Sequence, residues 1–139
     1  MEYQDFINAV ATRAKVSTDQ AATLTSATLE TLADRISAGQ AEDLAYQLPE
    51  GLDDHLRKPP PHRREEHAKS FGLEEFVRRV ADHPAIDRAL AGAGVRAVLT
   101  TLREAVSRDE FEDAMAQLPK EFRQVIEPVG AGGRQRPGS

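Results

Sequence analysis

A chain of 139 residues has the size of one compact domain, and with 40% hydrophobic residues it can bury a core. Only 5% are aromatic and none is Trp, so that core must be Leu, Val, Ile and Ala with a few Phe, which suits helix-on-helix packing better than a β-sandwich. The absence of Cys excludes disulfide scaffolds, thiolate metal sites and cysteine nucleophiles, and a net charge of −5 argues against a chain that coats DNA.

The first element is a helix over residues 2–14, where Tyr3, Phe6, Ile7, Val10 and Ala14 form one apolar face. Ser17 with Gln20 is a capping-box signature that opens a long helix over about 18–36, carrying Leu24, Leu29, Leu32 and Ile36. Ser37 with Gln40 repeats the signature and starts a third helix that runs to about residue 47. Leu48-Pro49 stops it, because the residue before proline is disfavoured in a helix and proline pre-sets a new first turn. A short fourth helix is expected over 49–57, closing on Leu52 and Leu56.

Everything then recurs 70 residues later. Phe6, Val10, Leu29 and Leu32 return as Phe76, Val80, Leu99 and Leu102, Glu42-Asp43 as Glu112-Asp113, and Gln47-Leu48-Pro49 as Gln117-Leu118-Pro119. Ser107 with Glu110 repeats the capping box of the third helix. The copies differ where Ala22-Thr23-Leu24 becomes Gly92-Ala93-Gly94 and Ala14 becomes Pro84. Two glycines inside a helix are unfavourable by about 1 kcal/mol each, so the counterpart of the long second helix is expected to kink there or to start only after Gly94, with a separate turn over 84–90.

The expected architecture is therefore all-α, with two tandem pseudo-symmetric repeats of about four helices each, residues 1–57 and 72–127, sharing one core. The long second helix and its counterpart should pack centrally, bridged by Phe6, Val10, Phe76 and Val80. A single repeat would bury only about 60% of its unfolded surface. Residues 1–57 expressed alone should accordingly be weakly folded or dimerise, and a monomeric fragment with a cooperative melt would sink the shared-core argument. Residues 58–71 read as a proline-rich, basic linker and 128–139 as a disordered tail.

Candidate chemistry is sparse. Glu42, Asp43, Glu112 and Asp113 are candidate interface residues; neighbours on a helix point about 100° apart, so each pair cannot share one proton. Arg57, Lys58, Arg63, Arg64, Arg78 and Arg79 are candidate contacts to an anion or partner, although Glu65, Glu66, Glu74 and Glu75 interleave with them and no aromatic is there to stack a base. His62 and Glu66 have half of a zinc spacing, but Pro59–Pro61 precede them directly, and His55 and His83 read as scattered, solvated side chains. The serines read as caps, linker or tail, so no nucleophile, base and orienter come together, and neither an enzyme, a metal nor a cofactor is expected. The Gln of each Gln-Leu-Pro is expected to cap carbonyls left open at its own turn, with a partner contact as the alternative.

Three segments resemble a known family: Tyr3-Gln4-Asp5-Phe6-Ile7, the stretch from Thr28 to Ser37, and Glu42-Asp43-Leu44-Ala45-Tyr46-Gln47-Leu48-Pro49. Glu75–Ala81, Val98–Ser107 and Gln117-Leu118-Pro119 match it a second time. It is the bacterial family known as domain of unknown function 2267, common in actinobacteria, and the resemblance covers residues 2–126 with Gln-Leu-Pro as its most specific mark. The resemblance implies a cytoplasmic all-helical protein and carries over no catalytic residue. The expected function is a non-enzymatic interaction module, a bacterial regulatory or stress-associated adaptor or a homo-oligomer, with a protein partner or itself as ligand. Its rivals are anion or nucleic-acid binding through the basic linker, and a small-ligand carrier with an apolar cavity between the repeats opened at Gly92 and Gly94. No apolar stretch approaches the roughly 18 residues of a membrane span, so no membrane is expected as partner.

Overall fold

The computed structural model describes residues 1–57 and 71–126. Within them the chain forms eight α-helices and no strand: α1 (Tyr3–Ala14), α2 (Thr18–Arg35), α3 (Ala38–Gln47), α4 (Asp53–Arg57), α5 (Leu73–Ala81), α6 (Arg88–Ala105), α7 (Arg108–Met115) and α8 (Glu121–Val125). The bounds of α2 and α6 differ by 70 at both ends, and the buried and exposed positions of 41–50 recur in the same order over 111–120.

Local chemistry sets the first boundaries. Glu2 and Asp5 make a reciprocal capping box at the start of α1, and Lys15 ends it in a left-handed conformation with φ 60°. Ser17 and Gln20 form the expected reciprocal box at α2. The α5 N-terminus begins at Gly72, which has no side chain to cap with; Glu121 reaches over from α8 and accepts from the Leu73 N–H at 2.8 Å. A Cβ on Gly72 would lie 2.6 Å from that carboxylate oxygen, so the same glycine makes room for the cap.

Three boundaries depart from the sequence reading. The fourth helix begins at Asp53 rather than Pro49, because Gly51 takes φ +105° and interrupts the turn; α8 has Glu121 at the matching position and starts two residues earlier in its copy. α7 ends at Met115 because Ala116 and Gln117 tighten into a turn, with the Gln117 N–H donating to Ala114 O. The largest departure is α6. It is unbroken over 18 residues, with both glycines inside it and Asp87 capping the Ala89 N–H, while the turn ahead of it closes by Ile86. The reason is tertiary: a Cβ on Gly94 would lie 2.5 Å from Leu24 Cδ2 and 3.0 Å from Leu24 Cδ1. Leu24 is only 2% exposed, so it has little room to retreat, and α6 accepts the local cost of glycine to receive it.

One buried cluster draws on both halves of the chain. α1 packs on α6 as well as on α2, and α5 packs on α2 as well as on α6, so the first helix of each half lies across the long helix of the other. Phe6, Val10, Phe76 and Val80 are all fully buried in this crossing. Phe76 meets Phe122 edge to face, with ring centres 5.3 Å apart.

The α2 side of the core carries a defect. Thr25 and Thr28 are fully buried and their hydroxyls find no hydrogen-bond partner. The matching positions of α6 are Val95 and Val98, also buried. A buried hydroxyl without a partner costs about 1–3 kcal/mol in desolvation. Thr25→Val and Thr28→Val are therefore expected to stabilise by about 1 kcal/mol each, read as a higher urea midpoint at unchanged slope. A lower midpoint for both would show that the hydroxyls are satisfied.

Candidate functional site

The polar surface with most structure is the seam between α3 and α7. Ser37 and Ser107 cap these helices, their hydroxyls accepting from the Gln40 and Glu110 N–H groups at 3.1 and 3.3 Å. The capping box read from the sequence would have Gln40 and Glu110 return to the serine N–H groups. They turn to each other instead: Gln40 Nε2 donates to Glu110 Oε1 across the seam at 3.0 Å. The serine N–H groups are taken up by the opposite half of the chain. Ser37 N–H donates to Gln117 Oε1 at 2.7 Å, and Ser107 N–H donates to Gln47 Oε1 at 2.6 Å. The Gln of each Gln-Leu-Pro thus accepts from an amide of the other repeat and does not cap carbonyls at its own turn.

This seam fixes where the acidic candidates lie. Asp43 is three residues after Gln40 and four before Gln47, so it shares their helical stripe, and Asp113 is likewise three residues after Glu110 on α7. Both aspartates are exposed, and Tyr46, three residues after Asp43 on α3, is 83% exposed. Glu42 and Glu112 instead reach inside their own repeats, to Arg57 at 3.1 Å and to Arg123 at 2.9 Å.

The basic candidates look different once placed. Arg57 is shared between Glu42 and Asp53; burial pulls its pKa down, but those two carboxylates outweigh it and the net direction is up. Arg78 binds Glu75, and Arg79 binds Glu75 while its guanidinium lies 4.0 Å from the centre of the Phe71 ring. Each of these three arginines therefore faces a carboxylate. Lys58, Arg63, Arg64 and the His62–Glu66 pair lie outside the described residues, as do the linker over 58–70 and the tail from 127 onward.

Hydrogen bonds from Arg78 and then Arg79 hold the Glu75 carboxyl below its ordinary range. A depressed folded pKa contributes stability above the unfolded value, and that contribution is lost as pH falls through the folded one. Glu75→Gln is expected to lower Tm at pH 7, and the gap to wild type should close below about pH 4. A gap that persists unchanged in acid would mean the carboxylate charge contributes nothing.

One cluster escaped the sequence reading. His55 of α4 stands between two α2 side chains, with Nδ1 2.9 Å from Glu30 Oε2 and Nε2 3.2 Å from Ser26 Oγ. Ser26 is thus neither cap, linker nor tail, and His55 is not a free solvated ring. The only sequence trace is that Ser26 and Glu30 are four apart on one helix face. The order serine, imidazole, carboxylate is that of a hydrolytic triad. Ser26 Oγ also donates to Ala22 O at 3.1 Å, as mid-helix serines do, and the surrounding α2 amides are committed to the helix ladder. The two contacts of His55 fasten the five-residue α4 to α2.

Gly92 lines a cleft of about 470 Å³ between α1 and α6, with Arg13, Ala93, Arg96, Ala97 and Thr100. Gly92, Ala93 and Arg96 are exposed, so it is a surface cleft, and Gly94 opens no cavity because Leu24 fills it. Among the described residues no group of three or more His, Asp or Glu could hold a metal ion, and no helix is long and apolar enough to cross a membrane.

The chain as a whole matches a family model: residues 3–125 fit the family described as an uncharacterized conserved protein, DUF2267. The chain belongs to the DUF2267 family. No curated protein matches it. Within this DUF2267 chain the Gln-Leu-Pro segments bond one repeat to the other.

Proposed function

We propose that this chain is a non-enzymatic interaction module that docks a basic segment of a partner protein on the α3–α7 face, in the manner of a bacterial cytoplasmic adaptor. The observation that carries this reading is the seam itself. Gln40–Glu110 and the two crossed glutamine caps lock α3 to α7, so Asp43, Asp113 and the exposed Tyr46 belong to one surface built from both repeats. An acidic surface with an exposed aromatic suits a Lys- or Arg-bearing segment, through charge and through cation–π contact. Binding nucleic acid through the basic residues gains nothing from Arg57, Arg78 and Arg79, each already matched by a carboxylate.

The test is affinity capture from host lysate, with and without nuclease, by wild type and by Asp43→Lys/Asp113→Lys. A protein retained after nuclease by wild type and lost by the variant supports the reading. Equal capture by both removes the α3–α7 face, and a set of partners that disappears with nuclease transfers the function to nucleic-acid binding.

A further inference from the structure

Two pairs of matched positions touch their own counterparts. Leu24 occupies the space where residue 94 would carry a Cβ, and Gln40 donates to Glu110; in both pairs the partners are 70 residues apart, the period of the repeat. When two copies of one unit meet about a twofold axis, residue i meets j and j meets i, and a position meets itself only on the axis. The crossed caps, Gln47 to Ser107 and Gln117 to Ser37, are the i-to-j and j-to-i contacts of the same arrangement. Glycine is locally unfavourable inside a helix, so Gly94 is explained by this fit and not by the needs of α6.

We infer that Leu24, Gly94, Gln40 and Glu110 are the residues that set pairing specificity between repeats: the first-repeat face accepts a second-repeat face, from its own chain or another copy of this chain, and rejects another first-repeat face. A pair of first repeats would set Leu24 against Leu24 where there is room for one leucine and one glycine. A pair of second repeats would set Gly94 against Gly94, leaving a void, and Glu110 against Glu110, placing two carboxylates together. Sterics reject one wrong pairing, and a void with like charge rejects the other. Only the mixed pairing satisfies both axis positions.

The full-length protein tests this. Gly94→Leu is expected to lower Tm by about 10 °C through overpacking, and Leu24→Gly to lower it through a void. Leu24→Gly/Gly94→Leu should recover at least half of the summed loss, because one leucine again meets one glycine. Gln40→Glu should lower Tm by setting two carboxylates together, and Gln40→Glu/Glu110→Gln should recover it. Pairing between chains is read by refolding equimolar Leu24→Gly and Gly94→Leu proteins together. A 1:1 dimer is expected, melting above either variant alone, since exchange restores a leucine–glycine contact at both interfaces. Additive losses in both double variants, or a mixture that elutes and melts as two separate variants, overturn the inference.

Discussion

Arg35→Met is expected to destabilise the protein by about 2–3 kcal/mol, more than loss of any surface ion pair here. Arg35 is 9% exposed, and burial lowers the pKa of its guanidinium from the ordinary value. Its Nε donates to Phe71 O at 2.7 Å and its Nη1 to Gln117 O at 3.0 Å, so one side chain of α2 holds the chain entering α5 and the chain leaving α7. Removing it leaves two partly buried carbonyls without a donor. The matching position of the other half is Ala105, so no second arginine makes the reverse contact. Arg35→Lys should recover less than half of the loss, because an ammonium cannot span two carbonyls as the planar fork does. The measurement is the urea midpoint at constant slope. A methionine variant within 0.5 kcal/mol, roughly the scale of a surface substitution, would show that the two carbonyls find water instead.

The second prediction concerns what the glutamines accept. Gln47→Leu/Gln117→Leu is expected to lose about 2 kcal/mol, one hydrogen bond to an N-cap amide at each end of the seam. Gln117→Glu discriminates between the two roles the residue could have. A glutamine that capped carbonyls would need its N–H₂, and Glu would fail. Here Oε1 accepts from Ser37 N–H at the start of α3, so Glu keeps the bond and adds negative charge at a helix N-terminus, where it is favoured. Thermal melts should place Gln117→Glu at or above wild type and Gln117→Leu well below. The reverse order would overturn the acceptor assignment.

Much of the fold was legible because its determinants are local. The apolar face Phe6, Ile7, Val10 and Ala14 and the Ser17–Gln20 box depend on residues within one or two turns of each other, and the structure has α1 and α2 where those signals put them. The candidate site was legible as a set of residues but not as a set of partners. Gln40 and Glu110 carry the right spacing for a capping box, yet each has a second suitor 70 positions away that only packing supplies. Ser26, Glu30 and His55 were unreadable for the same reason, since 25 residues separate Glu30 from His55 and nothing in the spacing says that α4 folds back on α2.

The sequence by itself determined the helix class, the recurrence of residues at a spacing of 70, and the serine caps at Ser17, Ser37 and Ser107, because these are settled by the residues themselves and their neighbours in the chain. Tertiary structure alone decided two things: that α6 runs through Gly92 and Gly94, and that Gln47 and Gln117 bond across the seam. Each turns on which surfaces meet. A missing Cβ is a defect in an isolated helix and a seat for Leu24 in a packed one, and an amide or a guanidinium takes its role from the group packing brings within about 3 Å.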